Sequence, residues 1–227
     1  MHKEKEANEK RLNMFKGKSP EEIFTLIYNK NHWSSNESKS GTGSTLIKTV
    51  NTRKTLLNWF KKYNINGFLD IACGDFNWMK EIVNDLNYYK GIDIVKEEID
   101  INNKKYGSKK VTFEHYDITK GFKYNGNDFD VVFAKDILVH FPDFYIKKFL
   151  DEVKSSGIKY MVITNFTKID KNISLDIFGQ WRPINFSIDP FNLPLYTDTS
   201  CEKNEPYTWN NKKYNDKNIT LWEIDKL

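Results

Sequence analysis

The chain has 227 residues, 39% of them hydrophobic and 15% aromatic, enough to bury one core of single-domain size. Its 35 basic and 31 acidic residues are mixed along the chain and leave a net charge of +4, so no basic block stands out as a track for nucleic-acid phosphates. Two cysteines, Cys73 and Cys201, exclude a disulfide framework, and the sequence contains no apolar run of membrane-spanning length and no charged-then-apolar leader; the expectation is a cytoplasmic chain without a membrane partner.

Residues 1–18 are polar and read as a flexible charged arm ahead of a single domain over 19–227. Ser19-Pro20-Glu21-Glu22 carries a cap, a proline and early acids, the start of a helix running to about Tyr28. A polar loop at 34–44 (SSNESKSGTGS) precedes apolar residues at helical spacing over 45–63, which complete a helical cover spanning 19–63. Strand and helix patterns then alternate: strand 67–73, helix 78–86, strand 88–94, helix 96–106, strands 111–117 and 129–135, helix 142–155, strand 160–166. Alternation of this kind predicts an α/β fold, a Rossmann-like, mostly parallel sheet with helices on both faces and a core over 64–166. Residues 167–227 are rich in proline and asparagine and read as a substrate-side lid, closing with ITLWEI (219–224) as an antiparallel C-terminal edge strand.

The stretch GFLDIACGDFNW (67–78) joins the first strand to the element that follows through Gly74. Such a junction, at the carboxyl end of a parallel strand, suits a nucleotide-like ligand. A dinucleotide pyrophosphate requires G-x-G-x-x-G, and Phe76 and Trp78 stand where glycines belong, which argues against NAD and against an oxidoreductase. The second strand ends in Asp93, 23 residues beyond Asp70, where a carboxylate accepts hydrogen bonds from a ribose diol. The third ends in Asp117, placed to accept from an adenine amino group while the amide of Ile118 donates to the ring; the fourth ends in Lys135 and Asp136.

With these four strand ends, the chain resembles the class I S-adenosylmethionine-dependent methyltransferases over about residues 40–166: DIACG (70–74) matches the glycine-rich loop, GIDI (91–94) the ribose acid, HYDI (115–118) the adenine pocket and FDVVFAKDILVHF (129–141) the acceptor-facing strand and loop. Ala72 and Phe76 depart from the commoner D-x-G-x-G-x-G loop. The segments CGDFNW, SGTGS and PFNLP also resemble a small subgroup associated with glycan-modifying loci. The resemblance implies S-adenosylmethionine as cofactor, bound by Asp70, Ala72, Gly74, Asp75, Asp93, Ile94, Asp117, Ile118 and Lys135. Gly43 and Ser44 in the SGTGS loop either form a plain linker or wrap the methionine carboxylate with Arg53 as charge partner. Trp78 either staples the first helix to the sheet or touches the ligand.

Methyl transfer from a sulfonium is an in-line displacement, so the protein must align two reactants and remove the acceptor proton. Asp136 and His140 follow the fourth strand and are the candidate base and orienting group; His140 alternatively serves as a core histidine. The absence of Pro-Pro and an aromatic after the fourth strand argues against base-amino methylation and for an oxygen acceptor. Asn165, Trp181, Arg182 and Asn185 are candidates for binding that acceptor, by stacking on a sugar face and bonding its hydroxyls, or else belong to a proline-braced lid. Together with the subgroup resemblance they favour a sugar hydroxyl of a glycan or glycoconjugate. No metal is expected; the alternative is a catechol-like, magnesium-dependent reaction with Asp136 and Asn165 as oxygen ligands. A methyltransferase-like binding subunit without catalysis is the remaining rival, disfavoured by the intact acids at 93, 117 and 136.

Overall fold

The computed structural model describes residues 12–33, 35–203, 206–209 and 212–227. Five parallel strands form its centre: β1 (Gly67–Ile71), β2 (Tyr88–Asp93), β3 (Val111–His115), β4 (Val131–Ala134) and β5 (Tyr160–Phe166). β9 (Lys217–Glu223) runs antiparallel to β5, and β6 (Asp198–Cys201) pairs antiparallel to β9. The order of this seven-stranded sheet is β3-β2-β1-β4-β5-β9-β6, and β7 (Tyr207–Trp209) with β8 (Lys212–Tyr214) forms a separate hairpin. The C-terminal strand is thus antiparallel, as its pattern implied, but the short β6 lies outside it and takes the edge.

β1, β4 and β5 bury both faces, and their alternate residues enter two different cores, which is why these strands read as continuous apolar runs, whereas β3 at the edge buries only the alternate residues Val111 and Phe113. Phe68, Val131, Phe133 and Val162 meet Leu56, Trp59 and Phe60 of helix α2 (Val50–Lys62) and Ile99 of helix α3 (Lys96–Tyr106). Leu69, Ile71, Val132, Ala134, Met161 and Ile163 meet Ile23, Phe24 and Ile27 of helix α1 (Pro20–Asn29) and Ile146, Phe149 and Val153 of helix α4 (Asp143–Lys154). α1 opens on a capping box in which Glu22 N–H donates to Ser19 Oγ (3.3 Å) and Ser19 N–H donates to Glu22 Oε2 (2.8 Å).

Two expectations change. The segment over 78–86 forms two 3-10 turns, Met79–Glu81 and Val83–Asp85, in place of an α-helix. Trp78, Met79, Ile82, Val83 and Leu86 are all buried, so packing onto the sheet overrides helical periodicity there. Of the proposed N-terminal arm, residues 1–11 lie outside the described residues, whereas Phe15 is fully buried against the ring of His32.

From β1 the chain builds outward to β2 and β3, then returns to β4 on the other side of β1. The crevice at this switch of direction opens at the carboxyl ends of β1 and β4, between Ala72–Gly74 and Lys135–Asp136.

Candidate active site

Beyond β1 the backbone turns through three left-handed residues, Ala72 (φ 58°), Gly74 (φ 55°) and Phe76 (φ 56°). Two of them have side chains in a region that favours glycine. Phe76 is held there by burial among Tyr89, Tyr106 and Phe113, with ring centroids 5.0–5.3 Å away. Gly74 has no such latitude, because a Cβ there would sit 1.9 Å from Ser40 Oγ. Asp75 draws the covering segment onto this loop: its carboxylate accepts from Ser38 Oγ (3.0 Å), the amide of Lys39 (2.9 Å) and Ser40 Oγ (3.3 Å), and its amide donates to Ser40 Oγ (3.1 Å). Asp93 ties the same loop to β2 by accepting from the amides of Gly74 (3.0 Å) and Val95 (2.9 Å). Burial raises the Asp93 carboxyl above its ordinary value, and those amide bonds oppose the rise.

A cavity of about 290 Å³ occupies the crevice, the size expected of a small-molecule site. Gly41, Gly43, Ser44, Ala72, Gly74, Asp93 and Ile94 line one end. A narrow, mostly apolar slot continues from there between Ile71, Ile94, Asp117, Ile118 and Phe141. Asp117 Oδ1 accepts from the amide (3.0 Å) and hydroxyl (2.6 Å) of Thr119, which fixes the turn that shapes the slot. Polar backbone beside a small-residue loop, then a buried acid, then an apolar slot is the donor set that fits methionine, ribose and adenine in sequence.

The other end carries charge and aromatic rings. Asp136, itself left-handed at φ 61°, accepts from Lys135 Nζ (2.6 Å) and Lys217 Nζ (2.5 Å), and Glu202 lies 2.9 Å from Lys217 and 3.4 Å from Lys135. Burial acts to raise the Asp136 carboxyl, but the two ammonium groups outweigh it and hold the group well below the usual carboxylate range. A carboxylate so clamped is a poor proton acceptor. His140 differs. Burial pushes its imidazole down to about 4, against a bond between Nδ1 and the Gln180 carbonyl at 2.7 Å. The carbonyl can only accept, so Nδ1 carries the proton and Nε2 offers a lone pair. His140, Trp33, Trp181, Tyr207 and Lys217 all line the cavity; the Trp181 and Tyr207 rings are stacked 5.8 Å apart, and Trp33 lies 5.4 Å from the imidazole.

The remaining candidates fall elsewhere. Asp70 is buried beneath the loop, accepting from Tyr89 Oη (2.8 Å), and burial pushes it up to about 7. Trp78 packs on Phe133 in the core on the α2 side, and Arg53 donates to the Leu46 carbonyl (2.8 Å); neither lines the cavity. On the acceptor side only Trp181 of the four candidates reaches it. Arg182 is enclosed, donating to the carbonyls of Ile173 (3.1 Å) and Leu138 (3.0 Å) and to Asp143 (2.7 Å). Asn185 donates to the Ile169 carbonyl (2.9 Å), and Asn165 Oδ1 accepts from the Phe186 amide (3.0 Å). The physical reason is the coil over 167–197: without regular ladders its buried carbonyls and amides need side-chain partners, and multi-donor residues supply them. Among the described residues no three His, Cys, Asp or Glu side chains converge as a metal site, and of the Asp136–Asn165 pair the first is bound by ammonium groups and the second by main chain.

Sequence reasoning passed over Lys217, Tyr207 and Trp33. Lys217 meets Asp136 across 81 positions of chain, and no local pattern carries such a contact. Glu98 was also passed over, although Glu98, Ile99 and Asn102 share the buried face of α3, and an acid on an inward face is a signal.

Residues 68–156 match the family model described as "Methyltransferase domain". No curated protein sequence matches the chain. Among solved structures, the chain is similar to magnesium protoporphyrin IX methyltransferase (ChlM) from Synechocystis PCC 6803 with bound SAM, at 12% identity and a TM-score of 0.61 over 91% of this chain and 97% of that one. It is also similar to the N-methyltransferase NodS from Bradyrhizobium japonicum WM9, at 9% identity and a TM-score of 0.52 over 77% and 98%. At such identities these two likenesses speak for the fold. The methyltransferase domain matched over 68–156 spans the strands whose ends line the cavity and supports S-adenosylmethionine-dependent methyl transfer, on a fold shared with these two structures.

Proposed function

We propose that the protein methylates a hydroxyl oxygen of a carbohydrate acceptor, with His140 as the proton acceptor and Asp136 as an orienting group. The observation that carries this reading is the state of His140: a buried, neutral imidazole whose Nδ1 is committed to the Gln180 carbonyl, in the wall of the cavity that also contains Gly74 and Asp93. Bound S-adenosylmethionine supplies an electrophilic methyl on a sulfonium, and the bond from carbon to sulfur breaks as the bond to oxygen forms. Gly41 to Ser44 and Gly74 hold the methionine part, Asp93 the ribose, and the slot at Asp117 and Ile118 the adenine. His140 Nε2 takes the hydroxyl proton, a role typically worth about 10²–10⁴-fold in rate. Asp136 fixes Lys217 and Lys135 on the acceptor wall and adds a negative field that favours the imidazolium formed as the proton arrives.

The carbohydrate assignment rests on the stacked Trp181–Tyr207 pair and on Trp33, aromatic rings that line the same cavity and suit the C–H face of a sugar, together with the subgroup resemblance of CGDFNW, SGTGS and PFNLP. The test is transfer of a labelled methyl group to panels of free and nucleotide-linked sugars, phenols and amines, followed by locating the methyl in the product by NMR. Methyl ethers on sugar hydroxyls in wild type, lost in His140→Ala, are the expected result. Exclusive labelling of amines or phenols would overturn the acceptor, and undiminished transfer by His140→Ala would overturn the base.

A further inference from the structure

Glu98 lines the cavity from the first turn of α3, and neither the glycine loop nor the acceptor wall engages its carboxyl. It is 5% exposed, and its Oε1 atom is buried with no hydrogen-bond partner. An unpartnered polar atom in such a position carries a desolvation penalty that a ligand bond can offset. The surroundings narrow the ligand. One turn further along the same helix face, Asn102 Nδ2 donates to the Gly74 carbonyl at 2.7 Å, so this face lies against the glycine loop. Asp93 and Gly74 line the same part of the cavity. Each oxygen of Asp93 already accepts one main-chain amide, Gly74 at Oδ2 and Val95 at Oδ1, which leaves that carboxylate with reduced capacity for two hydroxyls.

We propose that Glu98 is a second carboxyl of the cofactor site, hydrogen-bonding the ribose diol of S-adenosylmethionine beside Asp93. The inference rests on the methyltransferase reading of the cavity. Burial, and then the nearby Asp93 and Asp75 carboxylates, push Glu98 up to about 9 against the opposing charge of Lys39, so it is present as the neutral acid near pH 7. A neutral carboxyl donates through its O–H and accepts through its carbonyl, and both faces match a hydroxyl. It also avoids placing a second negative charge against Asp93.

Calorimetry with S-adenosylhomocysteine and with its 2′,3′-dideoxyribosyl analogue tests the assignment in wild type, Glu98→Leu and Glu98→Gln. Glu98→Leu is expected to bind S-adenosylhomocysteine about tenfold more weakly or worse, and Glu98→Gln, which keeps a donor and an acceptor, to stay within about threefold of wild type. The dideoxy analogue is expected to bind wild type and Glu98→Leu equally. Equal losses for both ligands would assign Glu98 to another ligand group, such as the methionine ammonium, and overturn the proposal; so would unchanged affinity of Glu98→Leu. Failure of wild type to bind S-adenosylhomocysteine would overturn the underlying reading itself. Melting curves of the unliganded variants establish folding, and if Glu98→Leu melts below the assay temperature, Glu98→Asp, with its carboxyl withdrawn by one methylene, takes its place with the same comparison.

Discussion

The two ends of the cavity are built by different means. At the cofactor end the decisive groups are main-chain amides and acids at the tips of adjacent parallel strands, and their spacing follows from strand length and from a glycine loop lying on Ser40. At the acceptor end the groups come from β4, β9, the hairpin and the coil over 167–197, joined by side chains 81 positions apart at Lys217–Asp136 and 150 apart at Thr52–Glu202. A site made of strand ends is repetitive and local. A site made of side-chain meetings is particular to one tertiary packing, and its residues serve the coil as readily as the ligand.

Substitutions at the two ends should separate in kinetics. Asp93→Ala removes both the ribose acceptor and the tether of Gly74 and Val95, so S-adenosylhomocysteine affinity should fall by a few kcal/mol, about 10²–10³-fold by calorimetry. Near-normal affinity in that variant would remove the cofactor end from the account. His140→Ala should leave that affinity intact while turnover drops by about 10² or more. Adding Asp136→Asn to His140→Ala should lower turnover by much less than the single effects combined, because a broken unit loses little more. Fully multiplicative effects would mean that the two residues act separately.

A stability experiment sharpens the picture of His140. Its folded value of about 4 lies below the ordinary 6.5, so between those values the unfolded chain binds more protons and stability rises with pH. The contribution is complete above about pH 6.5 and is lost as pH falls toward 4, amounting to about 3 kcal/mol. Denaturant titrations across that window should show a shallower pH dependence in His140→Phe than in wild type; equal slopes would mean that the imidazole is not held neutral by burial. A smaller effect is expected from Arg53→Met, which should change S-adenosylhomocysteine affinity less than threefold because Arg53 donates to the Leu46 carbonyl and does not line the cavity. The smallest is that of exhaustive EDTA, under which turnover should persist, since both ammonium groups on Asp136 occupy the place a divalent ion would need. Loss of rate restored by Mg²⁺ would reinstate the metal alternative.

The strands that frame the cavity were legible because the apolar runs of β1, β2 and β4 announce parallel strands, and the ends of such strands are where this architecture meets ligands; Asp70, expected at the cavity, instead lies beneath the loop on Tyr89. Helix α3 and strand β5 match their expected bounds. The helix expected over 78–86, where two 3-10 turns form instead, shows the limit of periodicity, since a segment buried at so many positions takes whatever turns the sheet surface allows. Trp78 illustrates the same limit at the site: its place beside the glycine loop left ligand contact and a staple onto the sheet both open, and the ring packs on Phe133 in the core.

By itself the sequence determined the alternating α/β architecture, the glycine turn at Gly74 and the series of strand-end acids, because each depends on residues close together in the chain and on the fixed geometry of parallel strands. Tertiary structure alone decided that Arg182, Asn165 and Asn185 serve the coil, that Lys217 and Glu202 clamp Lys135 and Asp136, and that Glu98 faces the cofactor cavity. The reason is physical: a polar side chain's partner is whichever buried group the fold leaves unsatisfied within about 3 Å, and that depends on contacts between distant segments that local pattern does not encode.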